Sequence, residues 1–209
     1  MFRPPSFRKR GLMETAQLIM EATAFLFGSL VLTVILNKAM QKRGFKVKTA
    51  VNITVISILT CMLLFVGGAS MWTAKGIIFA GILLYASVQD ISTREADDSL
   101  WIMLLILSMV NFLPERISSM FAGGLTVFVP QLAVAVFGKS GSIGGADIKL
   151  STAAAVVCGF SGGVIGYAAG LLFAVVFQSI TNKIKKRTNK EPFALLPFLS
   201  AGLMLGYFI

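Results

Sequence analysis

Two aspartates in an apolar chain frame the chemistry. Asp90 follows the run GIIFAGILLYASVQ, and Asp147 lies in GGADIKL, just ahead of the apolar STAAAVV. Two carboxylates that approach one another can share a proton. One then acts as a base on water and the other as an acid on a carbonyl oxygen. That is enough for peptide hydrolysis. The chain contains no histidine, which removes Ser-His and Cys-His arrangements. Its two cysteines, Cys61 and Cys158, lie in apolar segments and form no CxxC pair, which excludes a zinc–thiolate module. The composition calls for no metal and no cofactor. Gly141, Gly144 and Gly145 precede Asp147 and would let a substrate backbone come close. The bland alternatives are Asp147 as a helix N-cap and Asp90 as a solvated acid beside Arg94. Spacing alone does not bring the two acids together.

The elements that would position them are membrane helices. Of 209 residues 56% are hydrophobic and 13% charged, against about 25% charged in soluble domains. This predicts an all-α, polytopic membrane helix bundle with no cleavable leader of its own. Residues 1–48 would form an N-terminal membrane segment with a basic cytoplasmic loop. Residues 49–209 would form the membrane-embedded core of a single compact unit. Apolar runs at 15–37, 49–67, 73–89, 99–113, 117–138, 147–160, 162–181 and 193–209 predict seven or eight helices, 147–160 being the weakest span. Gly162, Gly163, Gly166 and Gly170 mark a face for close helix packing.

The net charge of +10 is a topology signal here, not a sign of nucleic acid. The basic runs 38–48 and 182–190 belong in the cytoplasm by the positive-inside rule. Eight spans reconcile both runs, place the loops 90–98 and 139–147 on that same face, and leave the N-terminal Arg3, Arg8, Lys9 and Arg10 outside, against the rule. Five of the nine acids fall in those two loops: Asp90, Glu95, Asp97, Asp98 and Asp147. Glu14, Glu21, Glu115 and Glu191 read as interfacial. The helix dipole predicts different roles for the pair. Asp147, at a helix start, would be the base, and Asp90, at a helix end, the acid. Glu95, Asp97 and Asp98 could draw a basic substrate segment to the face, or could be caps and solvated charges.

Three stretches carry a resemblance to the type IV prepilin peptidases, GxGD membrane aspartic peptidases. GGADIKL resembles the family's GxGDxK signature, with Asp147 at the catalytic aspartate, Lys149 at the lysine and Ala146 where glycine is usual. QDISTREADDSL resembles the second aspartate motif, with Asp90 at the catalytic position and Asp98 at the last polar position of the turn. Ala96 and Asp97 replace its Ile-Pro pair. EPFALLPFL resembles the Pro-Phe stretch of the last helices, and FGSLVLTVILNKAMQKR the pattern ending the first. The resemblance implies catalysis by Asp90 and Asp147, with Gly144, Gly145, Lys149, Glu95, Asp97 and Asp98 toward the substrate. It implies a prepilin or pseudopilin substrate with a basic leader and an apolar helix, cut at the cytoplasmic face of a bacterial inner membrane. The larger members carry two CxxC pairs and methylate the product. This chain is similar to the short, peptidase-only members, so no methyltransferase activity is expected. Two other readings remain: a proton- or ion-coupled transporter using Asp90 and Asp147, and a non-enzymatic subunit of a pilus or secretion assembly.

Overall fold

The computed structural model describes residues 5–45, 47–138, 144–185 and 193–209, with side chains at 16–45, 47–138, 144–184 and 193–209. Arg3, Lys46, Gly141, Lys186, Arg187, Lys190 and Glu191 lie outside these, as do the side chains of Arg8, Lys9, Arg10 and Glu14. Every regular element among the described residues is helical. The helices are α1 (Pro5–Lys42), α2 (Thr49–Gly67), α3 (Met71–Thr93), α4 (Asp98–Ser108), α5 (Ile117–Phe137), α6 (Gly145–Lys185) and α7 (Leu196–Gly206), with a 3₁₀ turn at Pro114–Arg116. Five of them are long and apolar enough to cross a membrane, so the protein is a multi-pass membrane bundle.

α6 is two helices in one. Gly159 has φ 79° and ψ −173°, a left-handed, non-helical geometry open to glycine. Ala155 and Gly163, eight residues apart, would be about 12 Å apart in a straight helix. Yet a Cβ built on Gly163 would lie 2.9 Å from the Ala155 Cβ. The chain therefore reverses at Gly159. The runs 147–160 and 162–181 are the two arms of this hairpin, and counting them separately gives eight segments.

The second arm lies antiparallel to α7 with almost no side chain between them. A Cβ on Gly166 would come within 2.8 Å of the Gly202 carbonyl oxygen, and one on Gly170 within 2.8 Å of the Leu199 Cα. Gly162 faces Gly206 in the same way. Of the small-residue face read from the sequence, Gly162, Gly166 and Gly170 thus form the α6–α7 seam, while Gly163 packs on Ala155 within the hairpin.

α3 runs through the centre. Ser70 caps it, accepting the Thr73 N–H at 3.3 Å, and Arg94 ends it in the left-handed region at φ 61°. Phe79, Leu83 and Ala86 of α3 form the core with Leu104 of α4 and Leu199 and Leu203 of α7. α4 and α7 are shorter than the apolar runs 99–113 and 193–209. α4 stops at Ser108 ahead of left-handed Asn111 (φ 54°) and Pro114. α7 starts only at Leu196, with Pro197 in its first turn. At 11 residues each spans about 16 Å, half of a bilayer's apolar core of about 30 Å. The start of α7 is therefore free to lie inside the bundle.

Candidate active site

The N-terminus of α7 is directed at Asp90. Asp90 is in the last turn of α3 and is buried. Its Oδ2 accepts the Leu196 N–H at 3.1 Å. No side chain of α7's own caps that terminus, so a residue 106 positions earlier satisfies one of its orphan donors. The helix expected to end at 89 instead continues to Thr93.

Asp147 stands in the first turn of α6. It is not the N-cap. Gly144 holds that place, since its carbonyl accepts the Ile148 N–H at 3.3 Å. The Asp147 carboxylate reaches back to hydrogen-bond the Gly144 backbone, as an acid at the third helical position does in a capping box. A Cβ on Gly144 would lie 3.0 Å from Asp147 Oδ2, whereas one on Gly145 would meet open space. Both glycines are exposed, so the backbone beside Asp147 is accessible. One turn further on, the Ser151 hydroxyl donates to the Asp147 carbonyl at 2.6 Å, and the buried Gln131 amide of α5 donates to Ser151 Oγ at 2.9 Å. These bonds fix the turn that carries Asp147.

The two carboxylates occupy the same end of the bundle, and the charge of Asp90 acts on Asp147. Each also faces a helix N-terminus, α7 for Asp90 and α6 for Asp147. The dipole argument for different roles rested on Asp90 being beside a helix end only. The incoming start of α7 removes that asymmetry.

The remaining site residues divide. Lys149 Nζ binds Asp98 Oδ1 at 2.7 Å, joining α6 to the start of α4. Arg43, just past α1, pairs with Asp97 and lies 5.9 Å from the centre of the Tyr85 ring. That pairing raises the pKa of the exposed Arg43, chiefly through the hydrogen bond to Asp97. Lys149 holds the Asp98 carboxyl below the usual carboxylate range, by hydrogen bond and by charge. Asp97 and Asp98 thus have cationic partners within the protein, while Glu95 is exposed. Two participants escaped the sequence reading. Gln89, 5% exposed, accepts the Asp97 N–H at 3.2 Å. Leu196 acts through its backbone; its only signal was its place in the Pro-Phe stretch. Among the described residues no three His, Cys, Asp or Glu side chains gather at metal-ligand spacing.

Comparison with known proteins bears on this geometry. A prepilin leader peptidase/N-methyltransferase of Bacillus subtilis (strain 168) is 28% identical over 149 residues, covering 67% of this chain and 57% of the relative. The chain thus matches a little over half the length of that curated protein. No solved structure matches it. The model of the type IV leader peptidase family matches residues 77–181, half of the chain and a stretch that contains Asp90 and Asp147. The chain belongs to the type IV leader peptidase family.

Proposed function

We propose that the protein is a membrane aspartic endopeptidase that removes the short basic leader from a prepilin or pseudopilin precursor. The observation that carries the reading is that two carboxylates, from α3 and α6, lie at one end of the bundle with the charge of one acting on the other, in a chain that has no histidine. One carboxylate takes a proton from water as the water attacks the scissile carbonyl. The other gives a proton to the carbonyl oxygen; the first then passes its proton to the amine nitrogen as the C–N bond breaks, and the second takes its proton back from the tetrahedral hydroxyl. The open space over Gly145 supports approach of an extended substrate backbone. Glu95 is an exposed acid for the basic leader to meet. By the positive-inside rule this end faces the cytoplasm of a bacterial inner membrane, and the substrate's apolar helix lies in the bilayer. The protein acts as a peptidase alone, since the α1–α2 connection has no CxxC pair.

The test is incubation of membranes containing the protein with a candidate precursor, followed by gel shift. Wild type removes the leader, and Asp90→Asn and Asp147→Asn do not. Cleavage near the wild-type rate in either variant would exclude the dyad.

A further inference from the structure

α3 and α6, which carry the two carboxylates, make little direct contact. α4 and α7 lie between them, each packed against both. The separation of Asp90 from Asp147 is therefore set by intermediaries, and at this end one of these is polar. The residue before Asp90, Gln89, accepts the Asp97 N–H at 3.2 Å. The residue after Asp97, Asp98, binds Lys149 Nζ at 2.7 Å, two positions past Asp147. The path Asp90–Gln89–Asp97–Asp98–Lys149–Asp147 is therefore continuous through close neighbours along the chain, a hydrogen bond and an ion pair. Arg43 holds its middle through Asp97.

We infer that Lys149, Asp98 and Gln89 are positioning residues whose strap across the α3–α4 connection sets the distance between the two carboxylates. The inference rests on the peptidase reading and changes the expected part of Lys149 and Asp98, from contacting substrate to aligning the groups that do. The Lys149 and Asp98 side chains are 49% and 69% exposed, and such a pair adds little to global stability. Its effect lies in geometry, and small misplacements of reacting groups are costly.

The test uses the full chain in detergent or membranes, with Lys149→Met, Asp98→Asn, Gln89→Leu and the exchange Asp98→Lys/Lys149→Asp. The single variants should lower kcat by roughly tenfold or more with KM nearly unchanged. The two limbs of the pH–rate profile should draw together, because carboxylates further apart couple less. The charge exchange should recover most of the lost kcat. A rise in KM without loss of kcat, unrescued by the exchange, would return Lys149 and Asp98 to substrate binding and overturn the strap. So would a loss of folded protein with an unchanged pH profile. Carboxyl infrared titration decides the matter even if no precursor is cleaved, an outcome that would refute the peptidase reading alone. Asp90→Asn should displace the Asp147 titration less in the Lys149→Met protein than in wild type. An equal displacement in both would overturn the strap.

Discussion

The two ends of the bundle are built by different rules. At the end with the carboxylates, helices are joined by side chains: Arg43 to Asp97, Lys149 to Asp98, Asp97 to Gln89, and Asp90 to the Leu196 backbone. Toward the other end the glycine helices meet almost backbone to backbone, with Gly162 against Gly206, Gly166 against Gly202, and Gly123 against the Gly159 reversal, and the long side chains there bind backbone carbonyls, Lys75 those of Ser108 and Val110 and Tyr207 that of Trp72. In lipid no hydrophobic force draws helices together, so close packing of small residues must hold them. At those glycines an added side chain would run into backbone. The carboxylate end uses long side chains that stay partly exposed, Arg43 and Lys149 among them. The difference teaches that positions intolerant of substitution need not be chemical ones.

The sharpest way to break the comparison is at the acids. Asp90→Asn and Asp147→Asn should each lower leader removal by about 10³-fold or more, and the double variant should be little worse, because the pair acts as one unit. Melting temperatures should stay close to wild type. Gly202→Val should do the reverse. Its side chain would run into the Gly166 and Gly170 backbones, costing about 1–3 kcal/mol or more. Thermal unfolding in detergent should show this, while turnover per folded molecule falls far less than at either acid. Gly159→Ala should cost about 1–3 kcal/mol, because φ 79° with ψ −173° is a region essentially confined to glycine, seen as a lower melting temperature. Loss of activity without loss of stability at either glycine would erase the division.

The smallest expected effect on stability is at the strap. Asp98→Asn should lower the melting temperature slightly at neutral pH. Lys149 depresses the folded-state pKa of Asp98, so the pair stabilises the fold above the unfolded-state pKa. The difference from the variant should therefore vanish as pH falls through the folded pKa. A difference that persists in acid would show that the amide, not the lost charge, is responsible.

Much of this was legible in the chain. Hydropathy marked the spans because lipid allows only helices with internally satisfied backbones. Glycines every four residues marked the α6–α7 seam, and two acids against apolar runs marked the end where the proposed site lies. What was hidden acts through backbone or through length. Asp90's partner is an N–H 106 residues away, and a backbone donor leaves no trace in residue types. That α7 begins at Leu196 follows from Pro197, but where this start would point depends on the packing of α3. The bland alternative for Asp147, an N-cap, came from its residue type, yet Gly144 takes that place and the acid serves from the third position. Gln89 carries no signature beyond standing beside an aspartate.

The Gly159 reversal also bears on biosynthesis. A turn made by one residue gives a translocation channel no hydrophilic loop to carry across. Both arms of α6 can slip into the bilayer together from one side, the second following the first, with Lys149 and Lys183 left in the compartment where they were made. The segment that carries Asp147 would then reach its place already paired with its own return arm, before α7 has emerged from the ribosome.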